Sequence, residues 1–177
     1  SVVMRGNNLD EAPALLEWAL RSGYELRFIE HMPLDADHIW TREGMVTAAE
    51  ILELLGREFV LEPRGHGAEG HAPAEDFDVV DGPGREHWSS SRVGVIASVT
   101  RPFCRDCDRL RLTADGQLRT CLFAKDETDL RGPLRDGASD AELGEIIRVA
   151  VWGKQAGHGI NAADFVQPAR TMSAIGG

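Results

Sequence analysis

Apolar positions recur with two different periods over the first thirty residues. Val2–Met4 is a short apolar run, and Leu26–Ile29 is a second. Between them Leu15, Leu16, Ala19 and Leu20 share one face at helical spacing, which predicts a helix over Leu9–Leu20. Asn7–Asp10 supplies turn and N-cap chemistry, Pro13 falls in the first turn, where its missing N–H costs little, and Gly23 follows as a stop. Strand, helix and strand in so short a span form a βαβ unit, which requires parallel strands.

Beyond Asp35–Glu43, a loop, the pattern shortens. Thr47 and Glu50 have the spacing of a capping box and open a helix over Ala48–Leu55. Strands are expected at Phe59–Leu61, Asp76–Val80 and Val93–Val99, separated by the glycine-rich loop Gly65–Pro73 and the turn-rich stretch Gly82–Ser91. Arg109–Thr113 and Gln117–Cys121 flank Ala114-Asp115-Gly116, a hairpin signal. A short helix fits within Asp126–Leu134. Ser139 and Asp140 cap a helix to Trp152 with Leu143, Ile146, Ile147 and Ala150 on one face, and the tail from Asn161 is irregular. Parallel βα units give way to short strands and a hairpin near residue 44. The expected fold class is therefore α/β: a barrel fragment over residues 1–43, then a smaller α+β layer over 44–177.

Charge and cysteine usage narrow the function. A net charge of −10 disfavours a nucleic-acid partner, since phosphate binding needs a basic face. No apolar run has the length of a membrane span and no signal-peptide pattern opens the chain, so no membrane partner is expected. Three cysteines are too few, and odd in number, for a secreted disulfide framework, which predicts a reduced, cytoplasmic protein. The chain opens on an apolar strand rather than a polar end, as expected of a sequence that begins inside a fold. The unpaired edge at Val2–Met4 predicts a homodimer or larger species.

Cys104 and Cys107 form a C-x2-C pair, and the hairpin returns Cys121 alongside it. Structural zinc wants four ligands, and a fourth from His158 or His87 lacks tight spacing. A thiol redox pair wants no third cysteine. Three thiolates suit a cubane iron–sulfur cluster with one iron open to a substrate atom, although spacing alone leaves zinc, or no metal, standing. Arg101, Arg105, Arg109 and Arg111 surround the pair. Residues 109 and 111 share a strand face, and two planar guanidinium forks side by side make a phosphate clamp. The bland alternative is a solvated strand edge, and for the whole chain a non-catalytic, zinc-stabilised α+β binding module.

The run from Phe103 to Phe123 resembles the second-cluster motif of the GTP 3′,8-cyclase family, the molybdenum cofactor biosynthesis protein A family. Arg27–Pro33 is similar to its strand at the nucleotide site, Val95–Ser98 to the strand leading into the cysteines, and Met172–Gly177 to its di-glycine tail. The resemblance implies the C-terminal part of an incomplete radical-SAM (βα) barrel followed by a small α+β cluster-binding layer. It implies Cys104, Cys107 and Cys121 as ligands of a 4Fe–4S cluster, Arg27, Arg109, Leu110 and Arg111 as GTP contacts, and Met32 as an S-adenosylmethionine contact. Gly176 and Gly177 become a tail that reaches the active site. For a full-length enzyme it implies a lyase: a 5′-deoxyadenosyl radical takes hydrogen from the ribose C3′ of GTP, and the C3′ radical attacks C8 to give 3′,8-cyclo-7,8-dihydro-GTP. The family's C-x3-C-x2-C motif, which binds the first 4Fe–4S cluster and S-adenosylmethionine, has no counterpart in this sequence. The resemblance thus covers about half of such an enzyme and implies that this half is inactive alone. Asp108 stands where the family usually has asparagine. His31, His38, His66, His71 and His87 sit in or beside expected loops and most are expected to be solvated, with His158 a candidate to seal the cluster.

Overall fold

Phe28, Val93 and Val95 are buried because β2 (Leu26–Glu30) and β5 (Arg92–Ile96) run side by side in parallel, with Phe28 level with Val95. The computed structural model describes residues 1–64, 73–155, 157 and 159–175. His66, His71, His158, Gly176, Gly177 and most of the expected loop Gly65–Pro73 lie outside them. Those residues fall into two units, Ser1–Met32 with Trp40–Phe103, and Pro33–Ile39 with Cys104–Gly177.

The first unit is a mixed α/β layer. β1 (Val2–Val3) pairs in parallel with β2, as the βαβ pattern requires. β3 (Val60–Pro63) and β4 (Glu75–Asp81) add antiparallel strands, giving the order β1-β2-β5-β4-β3. The helices α1 (Ala12–Ser22) and α2 (Ala48–Leu55) bury Leu16, Leu20, Ile51 and Leu55 in the core. α1 starts later than expected and has no side-chain cap. Asn8, expected to help cap it, instead turns back to β1: its Oδ1 accepts from the Met4 N–H at 2.8 Å and its Nδ2 donates to the Val2 carbonyl at 2.9 Å. α2 carries the expected box, with Thr47 Oγ1 accepting from the Glu50 N–H at 3.2 Å and Glu50 Oε2 from the Thr47 N–H at 2.9 Å.

The second unit is built on β6 (Arg111–Leu112), β7 (Gln117–Arg119) and β8 (Thr128–Asp129), an antiparallel sheet. α3 (Arg131–Arg135) and α4 (Asp140–Trp152) follow, and α4 opens on a second capping box between Ser139 and Glu142. The expected apolar face of α4 forms, yet Leu143, Ile146 and Ala150 are only half-buried and Ile147 is exposed. The tail, expected to be irregular, closes in a short 3-10 helix, Met172–Ile175, with Ile175 fully buried and the Met172 N–H donating to the Leu34 carbonyl at 3.0 Å. No helix among the described residues is long and apolar enough to cross a membrane.

Candidate metal and nucleotide site

Cys104 opens a 3-10 turn, Cys104–Asp106, and the Cys107 N–H closes it on the Cys104 carbonyl at 3.3 Å. The C-x2-C spacing thus becomes a single turn carrying two thiols. Downstream the hairpin forms with shorter arms than expected: β6 begins at Arg111 and β7 ends at Arg119, so Arg109 precedes the strand and does not share a strand face with Arg111. Arg111 pairs with Arg119 and Leu112 with Leu118, and the Thr113 N–H donates to the Gln117 carbonyl at 3.0 Å. Gly116 turns the corner at φ 81°, a left-handed conformation that disfavours a side chain.

The returning arm brings Cys121 back. All three cysteines are half-buried and outside any disulfide. The Phe123 N–H lies 3.4 Å from Cys121 Sγ, and the Lys154 ammonium lies 3.8 Å from Cys107 Sγ. The charges converge on Arg111. Burial pushes its guanidinium below its ordinary pKa, repulsion from Arg109 adds to this, and thiolate charge at Cys121 and Cys107 opposes it. Arg111 has no ion pair among the described residues. Leu110, between the arginines, is exposed. Among the described residues no three Cys, His, Asp or Glu side chains are drawn together into an ion-enclosing group. The donor set is three thiols of one unit in a cationic setting, and its chemistry fits an iron–sulfur cluster.

Arg27 and Met32 belong to the first unit. Arg27 is exposed on β2, and Met32 is half-buried just past its end. Glu30, on the same strand, is fully buried, and its carboxylate accepts from the Ala48 N–H at 2.8 Å, the Val99 N–H at 2.7 Å, the Thr100 N–H at 2.8 Å and the Thr100 hydroxyl at 2.5 Å. These bonds explain why β5 ends at Ile96 and not at the expected Val99: the carboxylate takes the N–H groups at Val99 and Thr100. Glu30, Lys154 and the ion-paired group Arg119, Glu127, Asp115 and Arg170 were not singled out by sequence pattern. One signal was present for Lys154, because the chain has only two lysines, Lys125 and Lys154, among many arginines.

Residues 24–160 match the family described as Molybdenum Cofactor Synthesis C, and the chain belongs to that family. It is 60% identical over its whole length to the GTP 3′,8-cyclase of Streptomyces coelicolor, covering 50% of that protein. It is 54% identical to the GTP 3′,8-cyclase of Rhodococcus opacus, covering 48%, and 54% identical over 97% of its length to that of Mycolicibacterium smegmatis, covering 46%. The chain spans about half the length of these curated relatives. The resemblance read from the cysteine–arginine run therefore holds across the chain.

Proposed function

We propose that this chain is the substrate-side half of a GTP 3′,8-cyclase acting in molybdenum cofactor synthesis. The observation that carries the reading is the run of cysteines and arginines on one turn and hairpin in a chain 60% identical to a GTP 3′,8-cyclase. Cys104, Cys107 and Cys121 would hold a 4Fe–4S cluster. When bound, that cluster supplies an iron without a protein ligand, open to a purine atom. Arg109 and Arg111, with Arg27, hold the triphosphate through charge-assisted forks. Met32 contacts S-adenosylmethionine, and Gly176 and Gly177 form the tail at the reacting end. The parallel strands within residues 1–43 are the last βα units of a radical-SAM barrel, and residues 44–177 are the cluster- and GTP-binding region. The assembly is a cytoplasmic homodimer.

Anaerobic reconstitution with iron and sulfide tests the reading. It should load about four irons per chain, the content of a single cubane. Serine at any of the three cysteines should abolish loading. Incubation with reductant, GTP and S-adenosylmethionine should yield no 5′-deoxyadenosine, because all three cysteines are engaged in one site. Stoichiometric zinc that iron does not displace would overturn the reading.

A further inference from the structure

α4 ends at Trp152, and the chain turns through Gly153 to deliver Lys154 to the hairpin. The half-buried ammonium donates to the Arg109 carbonyl at 2.7 Å and to the Thr120 carbonyl at 2.6 Å, and it lies 3.8 Å from Cys107 Sγ. An ammonium has three N–H donors, and these three acceptors use all of them. The acceptors are not scattered. Arg109 lies on the outgoing arm two residues past Cys107, and Thr120 lies on the returning arm next to Cys121. The β6–β7 ladder ends at the Arg111–Arg119 pair, short of both cysteines. Beyond that pair Lys154 spans the two arms. No other lysine serves, since Lys125 is exposed.

We propose that Lys154 is a positioning residue of the thiol site. It ties together the two arms that carry Cys107 and Cys121, and it sets one positive charge beside the Cys107 sulfur. The proposal rests on the cluster reading above. Two consequences follow. Without the tie the arms separate, and binding a cluster must itself order the hairpin segments that carry Cys107 and Cys121. Without the charge, the reduced, more negative form of a bound cluster is less stabilised, so its midpoint potential falls.

The variants Lys154→Met, Lys154→Gln and Lys154→Arg separate tie from charge. Methionine removes both. Glutamine keeps amide donors for the carbonyls but removes the charge. Arginine keeps both in altered geometry. Three measurements apply to the full chain: hydrogen exchange of residues 109–121 without metal, iron retained against a chelator after reconstitution, and midpoint potential followed by electron paramagnetic resonance. Lys154→Met should exchange faster in both arms and release iron at roughly 10- to 100-fold lower chelator, as found when a hydrogen-bonding partner of a metal ligand is removed. Lys154→Gln should exchange nearly as the parent does yet show a more negative potential, and Lys154→Arg should recover most of the parent potential. A merely structural lysine would leave the potential of Lys154→Gln unmoved. Parent-like potentials and iron retention in both neutral variants would overturn the proposal while leaving the cluster reading intact. A parent chain that takes up no iron would overturn the cluster reading, and parent-like exchange in metal-free Lys154→Met would then overturn the tie as well.

Discussion

Arg111 and Arg119 stand directly opposite one another in the β6–β7 ladder, and their surroundings give them different roles. Arg119 is buried, ion-paired with Glu127, and donates to the Ala124 carbonyl at 2.5 Å. Arg111 is half-buried and without an ion pair among the described residues, while its neighbours Arg109 and Arg119 repel it. One arginine holds the hairpin together, and the other is left without an ion pair among the described residues.

Arg111→Ala and Arg109→Ala should each weaken GTP binding to the reconstituted protein about tenfold to a hundredfold. A charge-assisted arginine bond contributes roughly 1.5–3 kcal/mol, and 1.4 kcal/mol is about a factor of ten. Lysine should rescue partly, because it lacks the planar fork. Iron content should not change. Arg119→Ala should behave differently, costing about 1–3 kcal/mol of stability by stranding its carbonyl partners and weakening the hold on Glu127. Normal titrations for both Arg109→Ala and Arg111→Ala would place the phosphate site elsewhere.

Glu30→Ala should destabilise the first unit by of the order of 3 kcal/mol, read from urea unfolding. The substitution leaves the N–H groups of Ala48, Val99 and Thr100 without the acceptor they share, and buried unpaired donors carry that scale of penalty. Glu30→Gln retains one acceptor oxygen and should fall between. An alanine variant as stable as the parent would mean that water replaces the carboxylate.

The hairpin tip predicts a pH dependence. The Arg170 guanidinium, 2.7 Å from Asp115 Oδ2, and the Thr113 hydroxyl hold the Asp115 carboxyl well below its ordinary 3.8. A carboxyl depressed in the folded state adds stability that is complete above its unfolded value and is lost as the pH falls towards the folded one. This contribution should therefore be whole above the ordinary aspartate range and vanish only in strong acid. Arg170→Gln should return Asp115 towards its ordinary value in a carbon NMR titration of the carboxyl. An unmoved titration would assign the shift to Thr113 alone.

Gly116→Ala should cost more than Gly137→Ala in the same denaturation assay. Both glycines have positive φ, 81° and 88°, which for alanine costs about 1–2 kcal/mol. A Cβ at Gly116 would also lie 2.6 Å from Arg131 Cβ, whereas one at Gly137 meets nothing within 4 Å. Equal losses would show that the Arg131 segment moves aside without cost.

Elements coded by neighbours in the chain were legible in advance. The capping box at Thr47, the cap at Ser139, the stop at Gly23 and the hairpin around Gly116 depend on residues a few positions apart, so spacing alone specifies them. The turn and hairpin that carry the cysteine–arginine run were legible for the same reason. The α4 face was legible as a pattern, but how deeply it is covered was not, because burial depends on what packs against it.

The sequence by itself determined the α/β class, the parallel β1–β2 pair, the hairpin and the family to which the chain belongs. Only the tertiary structure decided that β3, β4 and β5 join the same sheet, that Glu30 gathers the N–H groups of Ala48, Val99 and Thr100, and that Lys154 and Arg170 reach the hairpin. The reason is physical. A buried carboxylate or ammonium takes whatever donors or acceptors the fold leaves unpaired nearby. Those partners lie 18 to 70 residues from Glu30 and 34 to 47 from Lys154, a separation at which no local period links the members.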